Sequence, residues 1–267
     1  MPDVVLLEVS DGVATVTLNR PEARNALSSE LLAALADVVG GVDTREDVDA
    51  LILTGADPAF CAGLDLKELG RDGGPLKRGP DKGDGTVRAT AQRARKGTML
   101  PTSKPIIGAV NGVAVTGGLE LALNCDFLVA SERARFADTH ARVGVHPLWG
   151  LTVLLPQAVG IRRAREMSAT GNFVDAQTAL EWGLVNHVVA HDDLLATAHK
   201  LASHLVSNDQ PATRAILATY EEVSRVTGAE AWDVEARAAA EFQRGGVDPD
   251  DIERRRRDVV DRGRSQV

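Results

Sequence analysis

Aromatic residues are scarce, 3% of a 267-residue chain, too few for the successive stacking platforms of a single-strand nucleic-acid binder. Positive charge is also in deficit. Thirty Lys and Arg face 38 Asp and Glu for a formal net charge of −8, so the bulk balance suggests no nucleic-acid partner. The only two cysteines, Cys61 and Cys125, form neither a disulfide framework nor a metal-ligand spacing. No metal site is expected, and a reducing cytoplasm is the expected compartment. No apolar run is long enough to span a bilayer, and the opening segment MPDVVLLEVSDG lacks the basic and apolar stretches of a secretion signal. What is present in quantity is apolar residue, 44% of the chain. That suits one large domain, or a core with an appendage.

Val4 to Val9 and Val13 to Leu18 are β-rich runs joined through Asp11-Gly12, a hairpin signal. Ser28 or Ser29 is placed to cap a helix striped by Leu31, Leu32, Leu35, Val38 and Val39. Short buried strands are expected at Ala50 to Leu53, Ile106 to Val110 and Phe127 to Ala130. Helical segments alternate with them, so the first two-thirds reads as repeated β-β-α units. From about Asp193 the pattern turns helical, with helices expected at Leu194 to Val206, Pro211 to Val226 and Ala229 to Phe242. Arg71 to Gly85, rich in Gly, Pro and charge, reads as a mobile loop. The run Arg254 to Arg257 is bounded by acids and reads as a solvated helix face.

Two glycine turns bear chemistry. Phe60-Cys61-Ala62-Gly63-Leu64-Asp65-Leu66 follows the strand ending at Leu53-Thr54-Gly55, and Asn111 to Leu121, NGVAVTGGLEL, follows the strand ending at Val110. Each leads into a helix, whose first backbone N–H groups lack intrahelical acceptors. Two such groups converging from two turns can hold one developing oxyanion. Either turn alone would be read simply as glycine permitting a tight bend.

Taken together, Asn19 to Leu27 (NRPEARNAL), the CAGLDL turn, Lys104-Pro105 and NGVAVTGGLELALNCD resemble the crotonase superfamily, the enoyl-CoA hydratases and isomerases. The likeness spans about residues 5 to 190. It implies a crotonase-like α/β fold: a β-β-α spiral core over residues 1–192, binding CoA and the acyl group, and a C-terminal α-helical trimerisation region over 193–267. It implies an acyl-CoA thioester substrate, with coenzyme A as the carrier part of that substrate and no separate cofactor, and a homotrimer or hexamer.

The resemblance also assigns roles. Leu64 and Gly117 backbone N–H groups would form the oxyanion hole for the thioester carbonyl. Arg24, Ala26, Ala62 and Asp65 would line the CoA site, Arg24 being otherwise an exposed loop cation. Hydratases of this family use two glutamates. The first falls on Glu120, in an otherwise apolar run, where a buried carboxylate suits acid–base work on water. The register puts His140 where the second would stand. A helix N-terminus there favours a neutral ring, while Asp138, read as the helix cap, favours a charged one. A neutral His140 would orient water, or merely line the pocket. His146 and Trp149 fall in the stretch facing the acyl group, with Trp149 bulky where the family often has a small residue. The family's Phe-x-Glu-Lys-Arg ending is replaced by Ile252-Glu253-Arg254-Arg255-Arg256-Arg257.

The expected activity is reversible hydration of a trans-2-enoyl-CoA to a 3-hydroxyacyl-CoA. An enoyl-CoA isomerase, a hydrolase or decarboxylase on the same scaffold, and a non-catalytic acyl-CoA-binding protein stand as alternatives.

Overall fold

A computed structural model describes residues 3–72, 99–100 and 102–244. Strands β1 (Val5–Ser10) and β2 (Val13–Leu18) pair antiparallel, with Val5 opposite Leu18 and Ser10 opposite Val13. Asp11 and Gly12 both take positive φ, 52° and 77°, as a two-residue hairpin turn requires. Ser28 accepts a hydrogen bond from Leu31 N at 3.1 Å and so caps α1 (Ser29–Asp43), which buries Leu31, Leu35, Val39 and Val42.

Beyond α1 the chain winds as a spiral. β3 (Ala50–Gly55), β5 (Ile106–Val110) and β7 (Phe127–Ser131) extend the hairpin into a six-stranded sheet, order β1-β2-β3-β5-β7-β10, with β10 at His187–Val189. Each of the three is followed by a short strand of a second sheet: β4 (Ala59–Cys61), β6 (Val113–Val115) and β8 (Arg135–Ala137), with β9 (Val174–Asp175) at its edge. A helix follows each short strand: α2 (Leu66–Asp72), α3 (Gly117–Leu123) and α4 (His140–Val143). These are the expected β-β-α units. Helices α5 (Leu151–Val159), α6 (Ile161–Thr170) and α7 (Ala176–Trp182) come next.

The central strands of the six-stranded sheet are buried on both faces. Leu51 and Leu53 of β3 join the main core with Leu31, Leu35 and Phe60. The alternating Ala50 and Ile52 join Val13, Ile107, Ala109 and Val129 under Leu194, Ala198 and Ala202. Those last three lie on α8 (Leu194–Val206). Because α8 covers the sheet, the compact core runs to Gln210, not to residue 192 as the sequence suggested. The second unit, from Pro211, contains most of α9 (Gln210–Val223) and α10 (Ala229–Arg244). They are joined by an Arg237–Glu222 ion pair and flank a groove of about 380 Å³ lined by Ile216, Tyr220, Val223 and Phe242. Of the segment expected to be a loop, Arg71 and Asp72 belong to α2; the rest of it, like the Arg254 to Arg257 run, lies outside the described residues.

Candidate active site

The second sheet brings the three strand-to-helix junctions side by side. β4 and β6 are parallel neighbours, Cys61 beside Ala114, and β8 lies along β6 with Ala137 beside Val115. The turns that follow these strands therefore converge: Ala62 to Leu64, Thr116 to Gly118, and Asp138 to His140. Gly63 has φ 91°, and a methyl group there would stand 2.7 Å from the Val115 carbonyl and 3.5 Å from the Gly117 nitrogen. A side chain on Gly118 would collide with the Cys61 carbonyl. The glycines thus serve close approach of two backbones as well as turning. The Leu64 and Gly117 N–H groups meet no acceptor among the described residues, as the oxyanion reading requires.

Thr116 holds this turn at a cost. It is β-branched yet sits at φ 56°, ψ −115°, a conformation that costs such a residue on the order of 1–3 kcal/mol. Its N–H donates to the Ala137 carbonyl at 2.9 Å, and its hydroxyl lies 2.5 Å from that of Thr139. The Gly117 junction is thereby tied to the one leading to His140.

Glu120, fully buried, projects from α3 into this convergence. Its Oε1 accepts from Trp149 N at 2.7 Å and, less closely, from Leu151 N at 3.5 Å. Oε2 is buried with no well-formed hydrogen bond; His140 Nε2 stands 3.4 Å away. His140, 4% exposed, is held from its other side by Asp138, Nδ1 to Oδ1 at 2.6 Å. Burial opposes charge on this ring. The hydrogen bonds and negative charges of Asp138 and Glu120 outweigh burial and raise its pKa to about 9. These partners favour an imidazolium over the neutral ring that a helix N-terminus alone would favour. The α4 helix is a single short turn, and its dipole is outmatched by two carboxylates. Asp138 is buried too; burial would raise its pKa, but hydrogen bonds from His140 and Ser168 hold it below the usual carboxylate range. The N-cap of α4 is Thr139, one residue past the expected Asp138, although Asp138 Oδ1 accepts the His140 backbone N–H at 3.1 Å.

The other expected residues divide. Trp149 lies on the site: a methyl group on Gly117 would stand 3.1 Å from its ring. His146 is exposed, with Nδ1 on the Pro147 carbonyl at 2.8 Å, and no described contact joins it to Glu120, His140 or Gly117. Arg24 is exposed at φ 50°, its carbonyl accepting from Ala62 N at 3.0 Å. Ala26 is nearly buried, and Ala62 is partly exposed next to it. Asp65 has another task. Its Oδ1 caps α2 through Lys67 N and Glu68 N at 3.1 and 3.2 Å, and its Oδ2 pairs with Arg20 at 3.0 Å. Burial alone would raise its pKa, but these partners lower it. The carboxylate is occupied by these partners and braces the loop.

Three residues of this region had not been singled out for the work they do. Arg20 spans Asp65 and the Ala26 carbonyl, the latter at 2.6 Å. Asn25, fully buried at φ 55°, accepts from Arg20 N and donates to the Ala56 and Ala59 carbonyls. Asp138 had been weighed as a cap and as a charge beside His140, but not as a direct partner of the ring nitrogen.

Known proteins are similar to this chain in sequence and fold. The enoyl-CoA hydratase/isomerase family model matches residues 8–246. A probable peroxisomal enoyl-CoA hydratase 1 of Arabidopsis thaliana is 40% identical over 201 residues, 75% of this chain and 72% of that protein. The 1,2-epoxyphenylacetyl-CoA isomerase of Escherichia coli K12 is 39% identical over 207 residues, 78% of each. The crystal structure of an enoyl-CoA hydratase from Mycobacterium tuberculosis H37Rv superposes with a TM-score of 0.73 at 49% identity, covering 90% of this chain and 99% of that one. The likeness in sequence and fold thus runs over most of the length, and the chain belongs to the enoyl-CoA hydratase/isomerase family.

Proposed function

We propose that the chain hydrates trans-2-enoyl-CoA esters reversibly to 3-hydroxyacyl-CoA. One observation carries this reading: a buried carboxylate, Glu120, stands next to two backbone N–H groups, Leu64 and Gly117, that have no acceptor among the described residues. The thioester oxygen accepts from both N–H groups, so the charge that develops when water adds at the β-carbon is held by fixed dipoles. Glu120, with Oε1 pinned by Trp149 N, uses Oε2 to take a proton from water. Arg24, Ala26 and Ala62 flank the entrance for the CoA moiety, and Trp149 limits the acyl end. Coenzyme A enters as part of the substrate, and neither a metal nor a separate cofactor is needed.

A cytoplasmic setting agrees with Cys61, whose buried thiol is pushed up to about 12 and is inert as a nucleophile. No helix among the described residues is long and apolar enough to cross a membrane. The chain assembles as a trimer or hexamer. Its second unit leaves Tyr220 and Trp232 more than two-thirds exposed, apolar surface that an interface between copies would cover. Light scattering returning a monomer at micromolar concentration would remove this part.

Isomerisation is the second reading. It is favoured by there being one glutamate, not two, at the site, since one carboxylate can shuttle a proton between carbons. The test is purified protein with a panel of enoyl-CoA esters, products resolved as hydrated, isomerised or hydrolysed. A 3-hydroxyacyl product supports hydration; a shifted double bond with no hydroxyacyl product replaces it with isomerisation.

A further inference from the structure

We propose that Asp138 is a positioning residue that keeps His140 protonated on both ring nitrogens, so that His140 Nε2–H, in place of a second carboxylic acid, delivers the proton to the acyl α-carbon. This rests on the hydration reading above and assigns the half of the reaction that Glu120 cannot perform alone.

Hydrogen-bond accounting leads to it. The ring lies between two buried carboxylates, Asp138 Oδ1 at 2.6 Å from Nδ1 and Glu120 Oε2 at 3.4 Å from Nε2. A neutral imidazole has one N–H and would turn a lone pair toward one of them. Glu120 Oε2 has no hydrogen-bond partner, so the doubly protonated ring is the form that sets an N–H, and not a lone pair, before each carboxylate. The groups facing the ring from other elements agree. Glu120 comes from α3. The α5 sequence LTVLLPQAV has no titratable side chain. From α6, Ser168 bonds to Asp138. On α4 itself, Arg142 is turned to the Thr170 carbonyl and Asn172. The raised His140 pKa follows from the same geometry. The contrast in length matters as well. The short Asp138 contact is a fixed anchor, whereas the 3.4 Å contact leaves the Nε2 proton free to be given to a substrate lying against Glu120.

The step balances. A water O–H breaks and its proton goes to Glu120. The water oxygen bonds to the β-carbon, and the π pair of the double bond moves to the α-carbon, stored as an enolate on the oxyanion donors. The α-carbon then takes the proton from His140 Nε2. Glutamic acid and neutral imidazole are left, and transfer of the acid proton from Glu120 to Nε2 restores the starting pair with no outside reactant.

The test combines long-range proton–nitrogen correlation spectra of the histidine rings, assigned with His140→Gln, with pH–rate profiles of wild type and Asp138→Asn. Both His140 nitrogens of wild type should show protonated shifts at pH 7.5 and titrate near 9. In Asp138→Asn the midpoint should fall by about one unit or more, and the alkaline limb of kcat/KM should fall with it. A neutral His140 in wild type at pH 7.5 overturns the proposal without any variant. So does a midpoint unmoved in folded Asp138→Asn, or a midpoint that moves while the alkaline limb stays. A wild type that hydrates no enoyl-CoA although His140 titrates near 9 sinks the hydration reading and the donor role together, while the hold of Asp138 on the ring stands.

Discussion

Replacing Glu120 by Gln changes one atom's chemistry and little of the packing. Trp149 N donates to Oε1 at 2.7 Å, so the amide oxygen must take that place. The opposite rotamer would set an NH2 against a buried N–H, at about 1–3 kcal/mol. The new NH2 then faces His140 Nε2, 3.4 Å from the oxygen it replaces. Having lost a carboxylate, the ring can release that proton and accept instead. Every buried group keeps a partner, and stability should change by only about 1 kcal/mol. Turnover should not survive, because an amide takes no proton from water. Loss of a positioned acid–base group lowers the rate about 10²–10⁴-fold, or roughly 3–5 kcal/mol of transition-state stabilisation. Affinity for an unreactive acyl-CoA, by calorimetry, should hold, since the oxyanion donors are backbone groups. Glu120→Ala, by contrast, strands the Trp149 N–H and should unfold more easily as well. Wild-type turnover of a short enoyl-CoA by Glu120→Gln would refute the assignment.

Stability should depend on pH through His140. Its folded pKa, about 9, lies above the unfolded value of about 6.5. Its contribution is thus complete below about pH 6.5 and is lost as pH rises through about 9, roughly 3 kcal/mol in all. Denaturant melts across that window should slope downward for wild type and flatten for His140→Gln; equal slopes would contradict the buried imidazolium. Asp65→Asn should loosen the Asn19 to Leu27 loop by weakening the Arg20 pair and the α2 cap, costing about 1–2 kcal/mol. It should raise KM for CoA esters more than it lowers kcat, and a loss confined to kcat would show that Asp65 does something other than brace the loop.

The hairpin, α1 with its Ser28 cap, and the strands β3, β5 and β7 were legible in the sequence, because turn chemistry and apolar period are local properties. So were Leu64, Gly117 and Glu120, which sit on two glycine turns with recognisable neighbours. The charge of His140 was not. Locally, a helix start and Asp138 pull in opposite directions, and Glu120, which also favours a charged ring, reaches it from another turn of the spiral. Arg20 and Asn25 were missed for a related reason: their partners, Asp65 and the Ala56 and Ala59 carbonyls, are close only after the chain has wound once. The bracing role of Asp65 was not legible, because an acid after a glycine turn looks free until its helix cap is seen. The core boundary was placed too early because the helical period of α8 reveals its apolar face but not that the six-stranded sheet lies beneath it.

Residue 149 meets the site in two independent ways. Its main-chain N–H fixes Glu120, while its indole packs against Gly117. Any residue other than proline supplies the same N–H, so the side chain can be exchanged without releasing the carboxylate. If the indole bounds the acyl group as proposed, substrate range can drift while the carboxylate stays fixed, and a redesign for longer or branched acyl groups has a natural first position at which to begin.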